Sequence, residues 1–329
     1  MQDRRPVFLH SLFRSGSTYL FSVFRRSPAG YYCYEEPLSE LFLTMDPRLF
    51  ESMPFTRELN RLQRHPDLDR PYKVEYGPIR EQVARCFRKS FPYDLFFLGE
   101  QDDEPDLRRY IALLLAAATG RPFLEFCRSS FRTAWLHANF DAVNLHLWRN
   151  PRDQWMSYSI SSYFPVTTLL LLGSPRRPTV IEDVADGVGI EPYHAPDIRD
   201  EIKHYGSIAG RLRPEMAYFA FYAVWALAYL QNIRRTDAAI DIDQLSASPD
   251  YRRSIGERLA DLGITGLDFD DCRVQRRAFA PRDLQFFRGI EAATRTFLEV
   301  CGISEHELAM LPDPDRPMPS RVAGSDHAD

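Results

Sequence analysis

Two clusters of polar residues in this chain have the types and spacing that grip anions. In "FLHSLFRSGSTYL", residues 8 to 20, an apolar run leads into Arg14, Ser15, Gly16, Ser17 and Thr18 before apolar residues resume. A loop that leaves a strand and enters a helix presents unpaired backbone N–H groups where the helix dipole also favours negative charge. Gly16 lets the backbone approach a ligand, Ser17 and Thr18 add hydroxyl donors, and Arg14 adds a permanent charge on a planar fork. The plainer alternative is a helix capped by Ser17 or Thr18 with Arg14 in solvent. The second cluster is "LHLWRNPRDQWMSY", with Arg149 at a strand end, a turn made by Asn150 and Pro151, and Ser157 on the following helix. There a guanidinium and a hydroxyl can converge on one terminal phosphate, unless they are merely a surface arginine and a helix serine. Two anion sites on neighbouring strand ends suit a ligand carrying phosphates at two positions. A nucleoside-triphosphate loop would read G-x-x-x-x-G-K-[ST], but Gly16 is followed by Ser17 and no earlier glycine precedes it. ATP chemistry is disfavoured.

The elements that must carry these clusters alternate. Residues 6–10 predict a strand, and Leu20, Phe21 and Phe24 share one face of a helix over residues 17–26. "RPFLEFC" and "AVNLHLW" predict strands, "SSFRTAWLHANF" and "PRDQWMSYSISSYF" helices, the latter opened by Pro151. A long helix over 214–234, a strand in "AAIDIDQL" and a helix in "DYRRSIGERLADLGI" follow. The pattern implies an α/β fold with a mainly parallel central sheet flanked by helices on both faces. Residues 1–311 are expected to form one domain, with 44–78 and 164–214 as caps over the ligand-binding edge of the sheet. The Pro-rich stretch 312–329 has too few apolar residues to pack and is expected to be mobile.

Composition narrows the classes further. With 44% hydrophobic residues over 329 positions the chain can build a sizeable core. Its 41 basic and 46 acidic residues give a net charge of −5 with no basic block, so nucleic acid is not the expected partner. Nearly all the positive charge is arginine; lysine occurs only at positions 73, 89 and 203. Five cysteines without a C-x-x-C pair read as reduced core residues, and no metal cluster is evident. The N-terminus lacks an export signal and "MAYFAFYAVWALAYL" is shorter than a membrane span, so a cytoplasmic protein without membrane insertion is expected. Oligomeric state leaves no trace.

Taken together, these motifs resemble the sulfotransferases that use 3′-phosphoadenosine 5′-phosphosulfate. "FRSGSTYL" looks like that family's 5′-phosphosulfate loop in the arginine-containing form of carbohydrate sulfotransferases, and "WRNPRDQWMSY" looks like its 3′-phosphate motif. "YYCYEEPLSEL" is similar to the family's Glu-Pro-Leu stretch, and "IDIDQLSASPDYRRSIGERLADLGI" to its late strand and helix, with Asp243, Gln244 and Leu245 where Y-E-D-L is usual. The likeness implies a three-layer fold of the P-loop nucleotide-hydrolase kind. Two departures stand out. The glycine- and lysine-containing C-terminal loop of the cytosolic enzymes is absent, leaving Arg276, Arg277 or Arg282 as substitutes. Glu125 stands where related bacterial enzymes often have lysine, which makes Arg128 and Arg132 candidates for contacting donor or acceptor, or else partners of Asp141 or Glu125.

The resemblance implies transfer of SO3 to an acceptor hydroxyl, leaving adenosine 3′,5′-bisphosphate, without a metal. Arg14 would stabilise charge on the bridging oxygen, Ser15, Gly16, Ser17 and Thr18 would hold the 5′ side, and Arg149 and Ser157 the 3′-phosphate. Tyr19 could stack on adenine or face the core. Glu36, directly before Pro37, is the first choice for the base that the family places after the first helix, Glu35 the runner-up, and His10 a third, although a histidine inside an apolar strand is usually core. The acceptor is expected to be a carbohydrate or glycoconjugate, with a lipid or small phenol or alcohol as the alternative. A noncatalytic nucleotide-binding protein of the same fold is the rival reading.

Overall fold

The computed structural model describes residues 4–44, 46, 48 and 70–316. Five short strands, β1 (Val7–Ser11), β2 (Tyr31–Glu35), β3 (Arg121–Phe126), β4 (Val143–Trp148) and β5 (Ala238–Asp241), form an all-parallel sheet in the order β2-β3-β1-β4-β5. Buried on both faces, the strands alternate between two cores rather than between core and solvent. Val7, Leu9, Phe123, Leu145 and Ile240 point to one face, where they meet α1 (Ser17–Arg25) through Leu20, Phe21 and Phe24. Phe8, Leu124 and Phe126 point to the other.

Between β2 and β3 lie α2 (Leu41–Thr44), a 3-10 turn at Val74–Ile79, α3 (Arg80–Cys86) and α4 (Pro105–Ala117), whose Leu107, Tyr110, Ile111 and Leu114 cover that second face. The short α5 (Thr133–Asn139) links β3 to β4. Between β4 and β5 come α6 (Pro151–Tyr158), α7 (Tyr163–Leu172), α8 (Thr179–Gly187), α9 (Ile198–Ala209) and α10 (Pro214–Ile233). Then α11 (Ile242–Ala247) and α12 (Pro249–Asp261) return to the α1 face, and α13 (Pro281–Val300) and α14 (Glu305–Leu308) follow. The chain is thus a three-layer α/β protein. Because α1 and the later crossovers lie on opposite faces, the C-terminal ends of β1 and its neighbours open into a crevice, the usual place for a ligand in such sheets.

Several expectations are revised. "AAIDIDQL" is a strand only to Asp241, whose side chain accepts from the N–H groups of Asp243 and Gln244 and so starts α11. The helix expected over 151–164 stops at Tyr158 and α7 begins anew at Tyr163. Within the expected cap at 164–214, α7 is apolar all round and buried, with Leu169 to Leu172 in the main core. The other cap, 44–78, lies outside the described residues except at 44, 46, 48 and 70–78. From residue 312 the expected mobile tail is fastened as far as Asp315, and 317–329 lie outside the described residues.

That fastening is ionic. Arg152, at the start of α6, donates to both carboxylate oxygens of Glu291 on α13 at 2.8 and 2.6 Å and to Asp315 at 2.6 Å. Arg288 also donates to Asp315, at 2.9 and 3.0 Å, and the Asn150 amide donates to the Pro314 carbonyl at 2.8 Å. Glu291 is buried whereas the Asp315 side chain is 35% exposed. Glu291→Ala, which removes the buried partner of the Arg152 guanidinium and leaves it only the partly exposed Asp315, is therefore expected to cost about 3–5 kcal/mol. Asp315→Ala should cost roughly 1 kcal/mol or less. Urea unfolding of the two variants checks the order, and equal losses would refute it.

Candidate anion-binding and acid–base site

The turn after β1 is shaped by two left-handed residues, Arg14 at φ 67° and Gly16 at φ 99°. At position 16 any side chain would be both strained and crowded, since a Cβ there would sit 2.8 Å from Ile242 Cγ1. Gly16 is the residue before α1, so the turn delivers the first N–H groups of that helix to the mouth of the crevice. Ser15 is buried and its Oγ has no hydrogen-bond partner among the described residues. Gln154 on α6 donates to the Phe13 carbonyl at 2.8 Å and fixes the base of the turn.

The second motif meets the first directly. Arg14 Nε donates to Ser157 Oγ at 3.0 Å and its guanidinium lies 5.2 Å from the centre of the Phe164 ring. Arg149, 7% exposed, donates to the carbonyls of Arg14 at 3.5 Å and Gln275 at 2.5 Å, and its Nε lies 3.7 Å from Asp243. Burial pushes the Asp243 carboxyl up to about 6, opposed by Arg149. Neighbouring residues also reach this motif: Arg277 donates its N–H to Asp153 at 3.0 Å, and Arg276 Nε lies 3.9 Å from the same carboxylate. The segment 275–277 therefore does reach Arg149, while the Arg276 side chain stays largely exposed. Arg282 pairs with Asp283 at the exposed start of α13. Tyr19 donates to Asp271 at 2.8 Å, so its hydroxyl is tethered to the 268–272 loop.

On the other flank of the turn, the fold separates the two adjacent glutamates. Register pairs Glu35 with Glu125 on β3, but the Glu35 carboxylate turns to Lys73 at 2.5 Å. Lys73 also donates to the carbonyls of Glu35 at 2.6 Å and Glu36 at 3.3 Å, and Tyr76 donates to that of Glu35 at 3.0 Å. These donors stabilise Glu36 in a left-handed conformation, φ 40°. The Glu36 carboxylate consequently swings to Arg128 and lies with those of Glu125 and the Cys127 thiol, the three within 4.8 Å of one another. Ser17 Oγ is 3.4 Å from Cys127 Sγ, which joins this cluster to the loop.

Arg128 and Arg132 fall to different fates. Arg128, 1% exposed, bonds Glu36, Glu40 at 2.5 Å and the Tyr163 hydroxyl at 2.7 Å, and stacks over Phe13. Tyr163 in turn donates to Glu40. Arg132 is fully buried and donates to the carbonyls of Phe91 and Pro92 at 2.9 and 3.2 Å, which removes it from the crevice as a substrate contact. Neither pairs with Asp141, which lies 3.7 Å from Arg5.

His10 is likewise corrected. It is fully buried, with Nε2 3.0 Å from Asn144 Oδ1 and Nδ1 2.7 Å from Ser129 Oγ. Asn144 Nδ2 donates to the Ala142 carbonyl, so its oxygen faces His10, Nε2 carries the proton and Ser129 donates to Nδ1. Both nitrogens are engaged and burial lowers the imidazole to about 4. It is a core residue, not a base.

No metal-ligand spacing exists in the sequence, yet among the described residues the fold gathers two donor groups. One is Glu36, Glu125 and Cys127; the other is Asp94, His194 and Glu201, where the Lys89 ammonium already donates to both carboxylates. Lys73, Glu40, Gln154 and Tyr163 are site residues that sequence reasoning missed, each being distant in sequence from the motif it supports. No protein-family model, curated protein or solved structure matches the chain.

Burial, then Glu36 and Glu35, raise the Glu125 carboxyl to about 8. The folded chain thus keeps a proton that an ordinary glutamate loses near 4.5. Stability from this group is full below that value and is lost as pH rises through the folded one. Glu125→Gln, neutral throughout, is expected to flatten the decline in unfolding free energy between about pH 5 and about pH 8 by on the order of 1 kcal/mol or more. Equal pH slopes for variant and wild type would refute the assignment.

Proposed function

We propose that the chain is a sulfotransferase of the P-loop nucleotide-hydrolase kind, moving a sulfuryl group from 3′-phosphoadenosine 5′-phosphosulfate to an acceptor hydroxyl. The observation that carries this reading is the direct contact between the Arg14 loop and the Arg149–Ser157 motif at adjoining strand ends. Two anion-seeking elements so joined suit one ligand phosphorylated at both ends. The residues fit the donor on two counts: among the described residues, Ser15 Oγ is a buried donor without a partner and Arg149 Nε is buried without a hydrogen bond.

The bound donor would supply a sulfuryl group on a phosphoanhydride oxygen. Arg14 and the first N–H groups of α1 would stabilise the negative charge left on that oxygen as the acceptor oxygen bonds to sulfur and the sulfur–oxygen bridge breaks. Glu36 would take the acceptor's proton. Its position supports it over Glu35, whose carboxylate is held by Lys73 on the other side of the strand end. Arg128 orients Glu36 and does not itself need to reach substrate. Ser17, beside Cys127, faces the same side as Glu36, so 5′ group and base lie on one flank of the turn. Burial raises the Glu125 carboxyl to about 8, which keeps it mostly protonated at neutral pH and lessens its repulsion of an anionic donor.

Incubation with the labelled donor and a panel of hydroxyl acceptors, read by mass spectrometry, tests the reading. Arg14→Ala is expected to lower turnover about 100-fold or more. Glu36→Gln should lower kcat by roughly 100-fold with donor affinity nearly unchanged. Arg149→Ala should weaken adenosine 3′,5′-bisphosphate binding about tenfold or more, measured by calorimetry. Binding of that nucleotide without transfer to any acceptor would favour the noncatalytic rival. Unimpaired turnover in Glu36→Gln would remove the base assignment.

A further inference from the structure

The carboxylate that stands beside Arg149 is not bonded to it. Asp243, in the first turn of α11, is buried, and its Oδ2 accepts the Asn150 N–H at 2.7 Å, which ties α11 to the turn between β4 and α6. Its Oδ1 lies 3.7 Å from Arg149 Nε, and among the described residues both atoms are buried without a hydrogen bond. Arg149 donates elsewhere, to the carbonyls of Gln275 at 2.5 Å and Arg14 at 3.5 Å. Neutral acceptors thus place the cation, while an anion stands at a distance where charge acts and hydrogen bonding does not.

Local structure does not call for that charge. An asparagine at position 243 could accept the Asn150 N–H equally well, without the cost of ionising a group in the interior. The consequence of the charge falls on Arg149. A guanidinium beside a carboxylate offers an incoming phosphate less net attraction, and phosphate and carboxylate repel each other where little water screens them. The neighbouring carboxylates are already engaged. Asp153 on α6 accepts the Arg277 N–H at 3.0 Å and lies 3.9 Å from Arg276 Nε, and Asp241 at the end of β5 accepts from the N–H groups of Asp243 and Gln244 at 3.0 and 3.1 Å.

We propose that Asp243 is the counter-anion of Arg149 and sets how tightly the 3′-phosphate is held: it steadies the guanidinium before the nucleotide binds and loosens the grip on adenosine 3′,5′-bisphosphate afterwards, so that the product leaves. The inference rests on the nucleotide reading of the site and adds a positioning residue to it. It also couples binding to a proton. A phosphate on Arg149 opposes charge on Asp243, so the nucleotide and a proton on that carboxyl favour each other. Burial already raises the carboxyl to about 6 against the pull of Arg149 and the Asn150 N–H, with Asp241 and Asp153 adding to the rise. Below that value the carboxyl is neutral and the competition lapses; above it, the carboxylate competes with the phosphate.

Calorimetry on the full chain with adenosine 3′,5′-bisphosphate and adenosine 5′-monophosphate tests this at about pH 5 and about pH 8. Asp243→Asn is expected to bind the bisphosphate about fivefold or more tightly than wild type at the higher pH and within about twofold at the lower. Titration of the phosphate itself is common to both proteins and cancels in their ratio. Affinity for the monophosphate, which lacks the 3′ group, should differ by less than about twofold at either pH. Near neutral pH, buffers of different ionisation enthalpy should show wild type taking up more protons on binding the bisphosphate than the variant does. Asp243→Ala is a second neutral variant, and thermal melts show which of the two folds and is read. Equal or weaker bisphosphate binding by a folded neutral variant at the higher pH, the same gain at both pH values, or an equal gain for the monophosphate would each overturn the inference while leaving the nucleotide reading in place. Failure of wild type to bind the bisphosphate at all would remove that reading, and the inference with it.

Discussion

The candidate site depends on one buried cation. Arg128 is 1% exposed, so its charge is compatible with folding only if carboxylates come with it. Glu36 and Glu40 supply them, and Tyr163 closes a triangle with Glu40 and the guanidinium. That constraint draws together the end of β3, the segment after β2 and the start of α7. It also fixes Phe13, over which Arg128 stacks, and therefore the turn that carries Arg14. A lysine could not replace it, since an ammonium has no planar fork to satisfy two carboxylates and a ring at once.

A second buried cation does the complementary work on the backbone. Lys73 neutralises Glu35 and donates to two consecutive carbonyls, which sustains the left-handed turn at Glu36. The two glutamates are neighbours in sequence, and burial, followed by the Glu36 carboxylate, raises the cost of ionising Glu35 against the pull of Lys73. They nonetheless face different partners: Glu35 a primary ammonium inside the protein, Glu36 a guanidinium at the edge of the crevice. One deviant φ angle separates a carboxylate held inside the protein from one at the edge of the crevice.

This is also where the sequence stops being legible. The strand–turn–helix around Arg14 and the Arg149-to-Ser157 spacing are local, so period and turn chemistry reveal them, and the parallel sheet follows from the alternation of elements. The choice between Glu35 and Glu36 hangs on Lys73, and the choice between Arg128 and Arg132 on Glu40 and Tyr163, contacts that no local pattern encodes. Arg128 and Arg132 look alike in "CRSSFRTAW", yet one reaches carboxylates and the other two carbonyls of a loop. His10 was readable as core from its apolar strand, and its Asn144 and Ser129 partners explain how an imidazole is accommodated there. The break between α6 and α7 was not readable, because "PRDQWMSYSISSYF" contains no strong helix breaker after Pro151.

Glu125 shows how the turn tolerates a carboxyl at its back. A second anion at this depth would oppose both Glu36 and any negatively charged ligand at the turn. Burial removes the conflict by keeping the proton on, and the acid then still accepts hydrogen bonds from the Glu36 N–H at 3.2 Å and the Cys127 thiol at 3.1 Å. The group is thus mostly a neutral polar strut near pH 7 and gains charge as the pH rises through about 8. Were a lysine to stand there instead, it would add a cation to the loop but would compete with Arg128 for the Glu36 carboxylate. With glutamate, Arg14 and Arg149 put positive charge on the Ser157 side of the turn, while on the Glu36 side the single Arg128 guanidinium faces two carboxylates, Glu36 and Glu40. Charge is thus divided across one turn, so that an anion is drawn to the Ser157 side and held off the Glu36 side.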